Sequence, residues 1–124
     1  MSGSIEVLGS DQLVPGAHSP GIIREKAFET DAALFSKSTI AGGNVSAWHH
    51  HGERELFGYM LSGRLRLEYG EDGLLSVELK PGDFFHVPIG LIHRDVNPIL
   101  GTEAVVVNLL AGNGPTVVNV DRPV

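Results

Sequence analysis

The sequence contains no cysteine. That absence excludes a disulfide scaffold, a thiolate zinc site and a cysteine nucleophile together. Basic residues are scarce, with 9 Lys and Arg against 15 Asp and Glu and a formal net charge of -6. A nucleic-acid partner, which requires a basic excess to neutralise phosphates, is therefore not expected. No apolar run approaches the roughly 18 residues of a membrane-spanning helix, so no membrane partner is expected either. The opening residues carry neither the basic nor the apolar region of an export signal, and a cytoplasmic location is the expectation. At 124 residues the chain has the length of one domain. Its 42% hydrophobic content against 19% charged is enough to build a core.

What the sequence does have is punctuation. Sixteen glycines and seven prolines separate short apolar runs, the spacing of an all-β protein. Leu65, Leu67 and Tyr69 alternate with Arg64, Arg66 and Glu68, and Leu75, Val77 and Leu79 alternate with Ser76 and Glu78. Period two predicts strands with one face buried, and the glycine-bounded turn at residues 70–73 joins them as a hairpin. Further strands are expected at residues 32–40, 44–49, 55–61, 84–87, 103–110 and 116–120. The nearest candidate for a helix, residues 24–33, carries charges without a clean apolar stripe, and a strand or loop reads equally well there. Residues 1–20 look like an arm, with residues 21–124 as the single domain. The expected architecture is an antiparallel jelly-roll β-barrel.

Chemistry concentrates in the histidines, at positions 18, 49, 50, 51, 86 and 93. In an extended segment His49 and His51 point to one face and His50 to the other. Two imidazoles on one side of a strand, followed closely by Glu53 and Glu55, suit a first-row divalent metal.

Residues 43–55, with Gly43, His49, His51 and Glu55, resemble the first motif of the cupin family: glycine, five residues, His-x-His, three or four residues, glutamate. Residues 82–97 match the second motif at Gly82, Pro88, Gly90, His93 and Asn97. With the closing Gly63, the two motifs span 43–63 and 82–97. The resemblance implies a cupin double-stranded β-helix in which His49, His51, Glu55 and His93 converge on one divalent transition metal per chain. It favours Fe or Mn, with Ni, Zn, Co or Cu also accepted by such donors. One departure stands out: seven residues, not six, separate Glu55 from Gly63. One extra residue flips the face of a strand. Either a β-bulge, expected at Gly58, restores the phase, or Glu53 or water replaces Glu55.

The resemblance further implies a metal-dependent enzyme acting on a small organic molecule, with a dioxygenase as the first expectation. A metal-dependent isomerase or lyase, with His86 or Glu55 moving a proton, and a non-catalytic binding protein are the alternatives. A homodimer is expected, its edge strands covered by the partner, with the amino-terminal arm supplying the added strand. Away from the fixed motif positions, His18 is expected in solvent, and Arg54 and Arg94 pointing outward. Trp48, Tyr59, Phe84 and Phe85 are candidates for a pocket wall, although strand aromatics are more often core. Because metal binding needs neutral imidazoles, affinity is expected to fall below about pH 6.5.

Overall fold

The computed structural model describes residues 3–123. Eleven strands run through it: β1 (Val14–Pro15), β2 (Ile22–Glu29), β3 (Ala33–Ile40), β4 (His49–His50), β5 (Glu55–Ser62), β6 (Leu65–Tyr69), β7 (Leu75–Leu79), β8 (Phe84–Val87), β9 (His93–Val96), β10 (Ala104–Ala111) and β11 (Val118–Asn119). The only helical turn among the described residues is the short Glu71–Gly73 segment between β6 and β7. No helix is long and apolar enough to cross a membrane.

The strands form two antiparallel sheets, one ordered β1-β2-β3-β10-β5-β8 and the other β11-β4-β9-β6-β7. No strand belongs to both, so the fold is a jelly-roll sandwich and not the closed barrel expected from the sequence. The expected β6–β7 hairpin is present, in register from Leu65 opposite Leu79 to Tyr69 opposite Leu75. Residues 24–33 resolve mostly into β2, paired along β3. The stretch expected as a strand at 44–49 is mostly irregular, tied to β9 through a Val45–Val96 bridge and a hydrogen bond from Ser46 N to Asp95 O at 2.9 Å. The arm contributes β1, which lies on β2 of its own chain, Val14 opposite Lys26.

The core lies between the sheets because each strand sends alternate residues inward. From β5 these are Leu56, Gly58 and Met60; from β10, Ala104, Val106, Asn108 and Leu110. Leu65 and Leu67 of β6 meet them from the opposite sheet. Gly58 is not a bulge. It pairs with Phe85 on β8, and a Cβ there would sit 2.2 Å from the Phe85 ring. The absent side chain is the seat for that ring. The irregularity in β5 falls instead at Leu61, where the register with β10 passes from Met60–Val106 to Ser62–Val105. Gly63 then turns the chain toward the other sheet with φ 78°, its Cβ position blocked by Glu103 O at 2.3 Å.

Candidate metal centre

The bulge at Leu61 leaves β5 in unbroken alternation from residue 55 to residue 60, and Glu55 therefore faces outward. Its carboxylate accepts a hydrogen bond from His86 Nε2 at 2.5 Å on the outer face of the six-stranded sheet. Glu55 is not with the three motif histidines, contrary to the expectation of a convergent ligand. Leaving six residues between the ligand and Gly63, as the first motif prescribes, lands on Leu56, which is buried and lines the interior cavity. An apolar side chain thus occupies the inward position where the motif places its carboxylate.

His49, His51 and His93 do come together. One nitrogen of each lies within 4.8 Å of the other two, and all three rings are buried. His49 and His93 are directly opposed in the β4–β9 pair. Each ring is fixed by a backbone carbonyl that accepts from its Nδ1: Ala47 O at 2.8 Å for His49, Thr116 O at 2.7 Å for His51, and Leu91 O at 3.0 Å for His93. A carbonyl can only accept, so each Nδ1 carries the proton and each Nε2 presents a lone pair. His51 Nε2 and His93 Nε2 lie 3.3 Å apart. Two neutral lone pairs at that distance repel unless a cation sits between them. Burial supplies no proton at neutral pH: it pushes the His51 imidazole down to about 4, with the neighbouring His93 adding to the effect. His49 is lowered by the same burial, partly opposed by the Asp95 carboxylate. The donor set therefore fits a divalent transition ion.

The cavity beside these rings offers about 60 Å³ to the centres of water-sized molecules, room for several waters or a short organic ligand. Its wall mixes apolar Leu56 and Phe85 with polar Ser36, Ser38 and Asn108, the last donating to Ser38 Oγ at 3.0 Å. Four charged residues line it that sequence reasoning passed over, Arg24, Glu25, Lys26 and Asp95. Asp95 Oδ1 lies 4.0 Å from His93 Nε2. Its place was legible in principle, two residues from His93 on one strand and so on the same face. Arg24 shares a face with buried Ile22, two residues before it on β2, a strand the sequence left ambiguous.

Other expectations sort by face. His50 is turned from the cluster, its Nδ1 accepting from Gly52 N at 2.9 Å. Phe85 alone of the four aromatics lines the cavity. Tyr59 packs on Phe84, which is 82% exposed, while Trp48 lies under the Arg94 guanidinium at 4.4 Å. Arg54, expected outside, is buried instead. Its Nε donates to Gly114 O at 3.0 Å and its NH1 to Leu110 O at 3.2 Å, clamping the loop that brings Thr116 O to His51. Asn97 of the second motif is structural, donating to Ile40 O and Thr102 O from full burial.

Two facing antiparallel sheets with a histidine cluster between them define a jelly-roll protein with a candidate metal centre. The chain belongs to the cupin domain family, whose profile matches residues 36–109. No curated protein sequence matches it. Among solved structures it is similar to the polyketide cyclase RemF from Streptomyces resistomycificus, with TM-score 0.78, 18% identity, and coverage of 94% of this chain and 86% of that one. It is also similar to an RmlC-like cupin from Shewanella frigidimarina, with TM-score 0.70, 18% identity, and coverage of 89% and 93%. A mutant of Bacillus subtilis oxalate decarboxylase aligns with TM-score 0.71 and 20% identity over 86% of this chain and 30% of that one. At these identities the likeness shows the fold.

Proposed function

We propose that this cupin is a mononuclear-metal enzyme acting on a small organic molecule held between its sheets. The observation that carries the reading is the pair of lone pairs on His51 and His93, aimed at one another and at His49 in a buried cluster. His49, His51 and His93 would hold the ion, with Fe or Mn as favoured occupants. A bound divalent ion supplies a Lewis acid for a substrate oxygen or, as Fe(II), a centre for dioxygen chemistry. The chain's own residues do the rest. The carbonyls of Ala47, Thr116 and Leu91 hold the imidazoles in one tautomer, and Leu56 and Phe85 keep that side of the cavity dry.

A dioxygenase is the first reading of the reaction. A lyase or isomerase is the second, favoured by Asp95, whose carboxylate faces the cavity as an acceptor for a substrate hydroxyl. Elemental analysis after loading with Fe(II) or Mn(II), beside His49→Ala and His93→Ala, tests the centre. About one ion per chain, lost in both variants, is the expected result, and no ion in the unaltered protein would leave a non-catalytic binding protein. Oxygen uptake by the Fe(II) form with organic substrates then separates the two reaction classes. A homodimer belongs to the same proposal. Phe35, Leu109 and Phe57 form a row across β3, β10 and β5 and are 44%, 38% and 43% exposed. Sedimentation as a monomer at micromolar concentration would remove it.

A further inference from the structure

Arg24 enters the cavity wall from β2, on the six-stranded sheet, while the histidine cluster belongs to the facing sheet and the segment leading from it. Its guanidinium has five N–H donors. Among the described residues one bond engages them, from NH1 to Ser19 Oγ at 2.5 Å, and no carboxylate lies within the 4.0 Å of an ion pair. It is nonetheless drawn out of solvent: burial lowers its pKa, an effect the charge of Asp95 opposes. An arginine so placed has a planar fork available and its charge only distantly balanced, which suits a carboxylate.

The other charges facing the cavity narrow the ligand further. Lys26 is matched by Glu29, its Nζ donating at 3.2 Å, and Glu25 by Lys37 at 3.8 Å. That leaves Arg24 and Asp95, which cancel formally, and the three neutral histidines. A divalent ion on those histidines would leave the site doubly positive. Leu56, standing where the first motif has its glutamate, supplies no charge to reduce it. A ligand of matching charge is a dianion.

We infer that the site takes a short dicarboxylic acid, one carboxylate toward the histidine cluster and the other in the Arg24 fork, with Asp95 facing the carbon chain or a hydroxyl on it. This rests on the metal reading for the first carboxylate but not for the second. Arg24 is then the residue that selects a second anionic group.

The test compares malonate with malonamate, and succinate with succinamate, by calorimetric titration of Mn(II)-loaded protein. Each pair offers the same first carboxylate and differs only in the group presented to Arg24. The diacid is expected to bind on the order of 10- to 100-fold more tightly than its mono-amide, the range charge-assisted hydrogen bonds supply. In Arg24→Met that preference falls to about threefold or less at unchanged Mn content, and Arg24→Lys, which keeps the charge without the fork, retains part of it. If Arg24→Met does not fold, Arg24→Gln replaces it. No preference in the unaltered protein, or a full preference in a variant that still holds its Mn, overturns the assignment. Failure of the unaltered protein to hold Mn sinks the metal reading instead. The same titrations on metal-free protein then decide the role of Arg24: diacid preference lost with the arginine supports it, and preference unaffected overturns it.

Discussion

The two faces of β5 carry opposite chemistry one residue apart. Inward, Leu56 is 6% exposed and borders a cavity lined by His51 and His93, both buried. Outward, Glu55 and His86 form a carboxylate–imidazole pair with side chains 39% and 45% exposed, the histidine stacked on Phe57 at 4.9 Å between ring centres. The outer pair holds the carboxylate that the sequence motif suggests for the metal, yet the inner face holds the histidines. The difference teaches that strand phase, and not the presence of a suitable residue, assigns a side chain to a site.

The largest break in this comparison is expected from exchanging the chemistry of the two faces. His93→Ala should reduce bound ion from about one per chain to a trace in elemental analysis, whereas Glu55→Gln should leave it unchanged. Loss of metal in Glu55→Gln would return that residue to the site. Next, Leu56→Glu places a carboxylate in the buried position. Metal-free, the variant should lose about 2–5 kcal/mol in denaturant unfolding, because an unpaired acid is buried. Loaded, it should bind the ion at least about tenfold more tightly, each factor of ten being ~1.4 kcal/mol. Unchanged metal affinity would mean that Leu56 does not border the ion.

Acid should separate the faces as well. His51 is neutral in the fold down to about pH 4, while the unfolded chain takes up its proton near 6.5. The unfolded state therefore binds more protons between these values, and metal-free stability should fall as pH drops from about 6.5 to 4, by on the order of 3 kcal/mol from this residue. Thermal melts of metal-free protein across that range check the sign, and a flat profile would remove His51 from the interior.

A smaller loss, about 1–3 kcal/mol, is expected for Arg54→Ala, which strips donors from the carbonyls of Gly114 and Leu110. Nuclear magnetic resonance of the His51 ring should show it loosened as the loop carrying Thr116 relaxes. The least effect belongs to the outer pair. His86→Ala should change stability by about 0–1 kcal/mol, the range of exposed ion pairs, and leave metal content alone.

Much of the fold was legible because period two is local. The alternation of Leu65, Leu67 and Tyr69 needs no knowledge of a partner strand to predict a half-buried strand, and β6 is that strand. The histidines were legible for the same reason: His49 and His51 lie two residues apart, and the second motif sets the turn before His93. The seven-residue interval was equally visible, and it announced a change of phase. Its resolution was not visible. Gly58 invited a bulge, but the ring of Phe85 needs that glycine as a flat seat, and the extra residue is taken up at Leu61 of β5, opposite the step from Val105 to Val106 on β10. Arg54 misled similarly, since its acceptors lie 56 and 60 residues away in sequence.

The sequence by itself determined that this is an all-β chain of the cupin family, with three histidines poised to meet. Only the tertiary structure decided that Leu56 faces the cavity in place of Glu55, that Arg24 and Asp95 share it, and that the sheets remain open as a sandwich. Alternation is a property of one strand, read along the chain. Phase is a property of two strands, fixed by the packing and hydrogen bonds that decide where an extra residue can go.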